Sequence, residues 1–243
     1  MLTKSDNIAS YLLAGTRIVI KYGTNALTTA DSLGRTVIDQ EKVEGVASIA
    51  NTLYAHKKEP IIVSSAAVVV GMGMLGWEFR PSQDEIRKLQ LASTVGQARL
   101  VEIYNSALAP FKLVASQMLP VHYNFQTLED RANIKALLNE AFANRAIPLF
   151  NTNDGMTNEE LVNPDSEYNF TDNDPLAKLI AVHGGAYSLI IVSENGTSGK
   201  GGKESKIKAM EEAERNGVHT NLNRVIAHSD LEVMVKEYFS RGV

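Results

Sequence analysis

TRIVIK at 16–21, EKVEGVASIANTLYAH at 41–56 and PIIVS at 60–64 read as strand, helix and strand in succession. The first and last runs are short and β-branched, as buried strands are. The middle run repeats its apolar residues at helical spacing, with Val43, Ala47, Ala50 and Tyr54 on one face. Two strands joined through a helix lie parallel in one sheet. The same alternation predicts a helical stretch over 83–108 broken near Gly96, a strand at 112–119, a helix at 128–143 and a strand at 146–151. Beyond these come a helix at 174–183, a strand at 188–193 and a helix at 203–216 stopped by Gly217. A last strand at 222–227 is expected, then a final helix opened by Ser229 with Glu232 completing a capping box. The fold class is therefore α/β, a mostly parallel sheet with helices on both faces.

The chain has 243 residues, 44% of them hydrophobic and 21% charged, which suits a globular protein with a large core. No linker or internal repeat divides it, so a single domain over 1–243 is expected. The net charge of −4 and the lack of a basic cluster argue against a nucleic-acid partner. No run is long and apolar enough for a membrane span, and residues 1–10 are too polar for a signal peptide. The absence of cysteine excludes disulfides, thiolate catalysis and cysteine-based zinc sites. A cytoplasmic location is expected.

Ligands of parallel sheets bind beyond the carboxyl ends of the strands, so the strand ends carry the functional reading. Lys21-Tyr22-Gly23-Thr24 follows the first strand: a glycine that admits close approach, beside a lysine that supplies a point charge for phosphate. A turn glycine beside a surface lysine is the plain alternative. Ser64-Ser65-Ala66-Ala67 follows the second, small residues that either free helix N–H groups for an anion or simply allow close packing. Asn151-Thr152-Asn153-Asp154-Gly155 follows the fourth and is also a good turn. Thr171-Asp172-Asn173-Asp174 precedes a helix and holds more polar groups than one N-cap needs. Ser193-Glu194 and the Gly/Lys-rich stretch 199–206 run from the fifth strand into a helix start. It is not a P-loop, since G-x-x-x-x-G-K-[ST] is missing. The polar stretch 154–171 reads as a functional loop.

Taken together and in order, these segments resemble the glutamate 5-kinases of the amino-acid kinase family. Lys21-Tyr22-Gly23-Thr24 is similar to the family's K-x-G-[TS], and Val63-Ser64-Ser65-Ala66-Ala67 to its V-[ST]-S-G-A turn. Gly96-Gln97, Gln117-Met118-Leu119 and Asn133 fall where the family has its G-Q helix, its Q-[ML]-L strand and the segment after it. Asn151-Thr152-Asn153-Asp154 resembles N-E-N-D, Asp172-Asn173-Asp174-Pro175-Leu176-Ala177 resembles D-N-D-x-L-[SA], and 199–206 resembles G-T-G-G-M-x-T-K. The resemblance implies a three-layer αβα amino-acid kinase fold and ATP-dependent phosphorylation of the glutamate side chain, the first step of proline synthesis. By position, Lys21 and Lys206 would hold the transferring phosphoryl group and Asp174 would orient them. Ser65, Asp154 and Asn173 would bind the amino acid; Lys21, Gly23, Ser193, Glu194, Lys200, Gly201, Gly202, Lys203 and Lys206 would touch ATP. Mg²⁺ is expected on the phosphate oxygens with few or no protein ligands, and a homo-oligomer is expected. His56, His122, His183, His219 and His228 are read as structural or solvated.

The chain departs from the family pattern at Ala66 for glycine, at Thr152 for glutamate, and at Ser193-Glu194 for T-D. The insert carrying G-L-Y-x-x-D-P is missing, so the loop into 199–206 is short, and a form without the family's PUA domain is expected. A kinase of the same fold acting on another small carboxylate or phosphate stays open, as does a non-catalytic amino-acid-binding relative.

Overall fold

A computed structural model describes residues 4–82, 84–155, 173–194, 202–221 and 226–240. Its strands are β1 (Arg17–Tyr22), β2 (Thr28–Ala30), β3 (Thr36–Ile38), β4 (Glu59–Ser64), β5 (Val114–Met118), β6 (Ala146–Phe150), β7 (Ser188–Val192) and β8 (His219–Thr220). Its α-helices are α1 (Lys4–Leu13), α2 (Gln40–Ala55), α3 (Ala67–Met74), α4 (Ile86–Leu108) and α5 (Leu128–Ala143). After these come α6 (Asn173–Gly184), α7 (Gly202–Arg215) and α8 (His228–Ser240).

Six strands form one sheet in the order β5-β6-β4-β1-β7-β8, with every pairing parallel. β2 and β3 make a separate antiparallel hairpin. Strand side chains alternate between faces, and each face has its own core. Ile18, Ile20 and Tyr22 of β1 point with Ile62, Leu149 and Ile190 into a core shared with α1, α2, α4 and α8. Val19, Ile61, Val63, Leu189 and Ile191 point the other way, into a core shared with α5, α6 and α7. The expected αβα layering is thus observed. The same alternation puts Lys21 on the α5–α7 face, two residues beyond Val19.

Helix starts follow local chemistry where a cap is available. Asp39 accepts from the backbone N–H groups of Glu41 and Lys42 at 3.1 and 3.3 Å and opens α2. Thr127 accepts from Asp130 N–H at 3.0 Å and opens α5 over the span the sequence predicts.

Several expectations are corrected. α1, for which the sequence reading assigns no element, runs over Lys4–Leu13 and buries Leu12 and Leu13 fully. α4 is continuous through Gly96, because that glycine serves contact rather than flexibility. A Cβ there would lie 2.0 Å from the Ala67 carbonyl oxygen, and one at Gly71 would lie 1.7 Å from that of Ala92. Two glycines therefore let α3 and α4 touch backbone to backbone. The strand expected at 112–119 is shorter, because Lys112 takes a left-handed φ of 56° and closes a 3₁₀ turn first. The last strand of the sheet is His219–Thr220; within the expected 222–227 segment, 222–225 lies outside the described residues and Ile226 makes one bridge to Val192. The final helix starts at His228, so Ser229 is inside it and is not its cap.

Gly96→Ala should lower stability by about 2–3 kcal/mol through overpacking, seen as a lower urea midpoint. An unchanged midpoint would mean that α3 and α4 part easily and that their contact is not rigid.

Candidate active site

β1, β4, β6 and β7 end side by side, and Lys21, Ser65, Asn151 and Ser193 lie at those ends. Lys21 is the fifth residue of β1 and is 2% exposed. Asp174 sits in the first turn of α6, where a carboxylate suits the helix dipole, and it is fully buried. Its Oδ1 lies 2.5 Å from Lys21 Nζ. Lys206 reaches the same carboxylate from α7, with Nζ 4.0 Å from Oδ2. On α7 it shares the inward stripe of Ala209, Met210 and Ala213, so its ammonium is carried inward by the helix face that packs. Two lysines from distant parts of the chain thus converge on one carboxylate. Gly23 is close by: a Cβ there would lie 3.8 Å from Lys21 Nζ.

A neutral polar network adjoins this charged group. Asn173 Nδ2 donates to Ser65 Oγ at 2.9 Å, to Asn151 Oδ1 at 2.8 Å and to the Ser64 carbonyl at 3.3 Å. Asn151 in turn donates through Nδ2 to Gln97 Oε1 at 2.8 Å. Ser93, one helical turn before Gln97 on α4, donates to Asp154 Oδ2 at 3.3 Å. Ser65 and Asn173 are therefore in direct contact, and Asp154 is tied to the α4 face that also holds the Asn151 end of the network. Gln97 Nε2 is buried without a hydrogen-bond partner among the described residues.

The amino acid kinase family profile matches residues 16–196. This chain belongs to the amino acid kinase family. Among curated family relatives, glutamate 5-kinase of Nitrosomonas eutropha is 30% identical over 87% of this chain and 62% of its own length. Glutamate 5-kinase of Geobacillus kaustophilus is 34% identical over 73% of this chain and 44% of its own length. The chain thus spans less than two thirds of these relatives. Solved structures with the same fold include an isopentenyl phosphate kinase, with TM-score 0.58 at 15% identity, covering 93% of this chain and 97% of that one. A carbamate kinase from Giardia lamblia bound to AMP-PNP gives TM-score 0.57 at 14% identity, with the same coverage.

Within this family frame, the site residues read from the sequence separate into two groups. Lys21, Gly23, Lys206 and Asp174 gather at one point, and Ser65 and Asn173 at a second. Ser193, 9% exposed, stands just past β7, and Glu194 follows it. Lys203 is exposed on α7, and Gly202 begins that helix. Lys200 and Gly201 lie outside the described residues, as do Asp172 and most of the 154–171 stretch. Asn151, Gln97 and Ser93 take no role in the sequence-based site, although all three are buried polar residues in the network. Their signal was polar side chains placed directly after a buried strand and inside an apolar helix face. Ala66, substituted for a glycine in the family pattern, has φ −80° and ψ 2°, so its methyl group costs no backbone strain.

Glu194 has a further contact. Its Oε1 accepts the first backbone N–H of α8, from His228, at 3.2 Å. This long-range acceptor does what the expected Ser229 cap would have done. The His228 ring packs on Gly45 and at 5.9 Å from the Tyr22 ring, and its Nδ1 has no hydrogen-bond partner among the described residues. Burial pushes its pKa down; Lys42 adds to this, while Glu232, Glu194 and Asp39 oppose it. A histidine with a depressed folded pKa contributes stability that is full above the unfolded value near 6.5 and is lost as pH falls through the folded value. Wild-type protein should therefore melt at lower temperature as pH drops below about 6.5, and His228→Gln should show a smaller drop. Parallel curves for the two proteins would show that burial does not depress the His228 pKa in the folded state.

Proposed function

We propose that this chain transfers the γ-phosphoryl group of ATP to the side-chain carboxylate of glutamate, giving ADP and glutamyl 5-phosphate. The observation that carries this is the convergence of Lys21 and Lys206 on Asp174. Phosphoryl transfer asks for positioning and charge stabilisation more than for covalent chemistry. In the step, a carboxylate oxygen forms a bond to γ-phosphorus and the bond from γ-phosphorus to the β,γ-bridging oxygen breaks. The electron pair leaves with ADP, and no proton moves. This fits a site built of ammonium groups and amides.

Lys21 and Lys206 stabilise charge on the phosphoryl oxygens from two sides, and Asp174 holds both ammonium groups in place between turnovers. Ser65, Asn173 and Asp154 bind the amino acid, and the spare N–H of Gln97 offers a further donor on that side. Gly23 leaves room for the phosphates beside Lys21. Ser193, Glu194, Gly202 and Lys203, with Lys200 and Gly201, border the nucleotide. Mg²⁺ would be held by the phosphate oxygens, with few or no protein ligands. When bound, that ion adds positive charge on the phosphates. The relatives named glutamate 5-kinase support glutamate as acceptor and proline synthesis as the pathway. A cytoplasmic homo-oligomer with one domain over 1–243 goes with this reading; among the described residues no helix is long and apolar enough to cross a membrane.

The test is ADP release with glutamate against a panel holding aspartate and N-acetylglutamate. Glutamate should turn over fastest. Lys206→Met should lower kcat by about 10²-fold or more, by analogy with loss of a transition-state donor. Full activity in that variant removes the mechanism, and a panel in which only another acid reacts removes glutamate as the acceptor.

A further inference from the structure

α6 and α7, which carry Asp174 and Lys206, are joined at a second point. Lys178 on α6 places Nζ 2.8 Å from Glu212 Oε2 on α7. Lys178 is 6% exposed, which is unusual for a lysine on an ordinary surface pair. It stands one helical turn after Asp174, about 6 Å along the axis, and Glu212 stands about 9 Å beyond Lys206. The two ion pairs are rungs between the same two helices, running in the same direction.

The apolar contact around them specifies axial position weakly. Along this contact α7 offers Ala209 and Met210 between the rungs and Ala213 just past the second, and α6 offers Ala177 between them and Ala181 past the second, beside the larger Leu176, Leu179 and Ile180. Alanine knobs are shallow, and methionine adapts to irregular gaps. Glu212 is only partly buried, with 27% of its side chain exposed; a hydrogen-bonded ion pair with one enclosed partner is by contrast directional, and register is the best-attested use of such pairs. The Lys206–Asp174 separation of 4.0 Å exceeds hydrogen-bond length, so this gap depends on how α7 is held.

We propose that Lys178 and Glu212 are positioning residues for phosphoryl transfer: their ion pair fixes α7 against α6 so that the Lys206 ammonium stays over the Asp174 carboxylate. This rests on the kinase reading above for its effect on turnover, but not for its effect on Lys206 itself. Displacing a catalytic group by about 1 Å can cost on the order of 10²-fold in rate. Loss of the strap should therefore act on kcat rather than on KM.

Three variants test it: Glu212→Gln, Lys178→Met/Glu212→Leu and the exchange Lys178→Glu/Glu212→Lys. The apolar double variant guards against simple unfolding, because replacing a buried ion pair by apolar groups is often neutral or stabilising. Two readouts are used: kcat and KM with ATP and glutamate, and the rate of trace acetylation of Lys206 by acetic anhydride, followed by mass spectrometry across pH. The apolar double variant should keep its melting temperature within a few degrees, lose about tenfold or more in kcat with KM within about twofold, and show a changed pH profile of Lys206 labelling. The exchanged pair should recover part of both. Unchanged Lys206 labelling in the folded double variant overturns the proposal, and so does full kcat there. If wild-type protein phosphorylates no acid tested, the kinase reading fails, and the labelling result alone still decides whether the pair positions Lys206.

Discussion

A carboxylate with almost no exposure holds two lysines at the open end of a parallel sheet. Asp174 lies 2.5 Å from Lys21 and 4.0 Å from Lys206. Like charges about 4 Å apart repel by about 4 kcal/mol at an effective dielectric of about 20, so two ammonium groups gather in a desolvated place only with an anion between them. Under the proposed reading, both ammonium groups turn from this shared carboxylate to the oxygens of an incoming phosphate. Removing Asp174 alone would leave two buried cations facing each other, the costly case for any buried pair.

The layers of the fold bring this point together. β1 alternates its side chains so that Val19 seals one core and Lys21 emerges on the same face beyond it. α6 begins with Asn173 and Asp174, sending the first into the amide network and the second to the lysines. α7 turns one basic residue of its inward stripe toward that carboxylate. The close α3–α4 contact at Gly71 and Gly96 fixes the other wall, from which Gln97 and Ser93 reach the network. The charged group and the amide network therefore meet at adjacent residues of one helix start.

Much of the sheet was legible in the sequence. β-branched runs separated by amphipathic segments gave β1, α2, β4, α5 and β6 nearly residue for residue, because both periods are carried by local side-chain type. The losses have a common cause. The Ser229–Glu232 pattern satisfied a local rule, yet α8 starts two residues earlier, at His228, whose N–H is capped by a carboxylate from a different strand end. Gly96 resembled a breaker, but its lack of a Cβ is used by a facing helix. In the site, Lys21, Lys206 and Asp174 were placed by resemblance; spacing alone could not bring together residues so far apart in the chain. Lys178 and Glu212 carried no signal at all, since charged residues on amphipathic helices are normally solvated.

The most direct measurement of the central claim is a crystal structure of the chain with a non-hydrolysable ATP analogue, Mg²⁺ and glutamate. γ-Phosphate oxygens should lie within about 3 Å of both Lys21 Nζ and Lys206 Nζ, with the glutamate side-chain carboxylate on the far side of the phosphorus near Ser65 and Asn173. A nucleotide bound elsewhere, or a γ-phosphate that reaches only one of the two lysines, would contradict it.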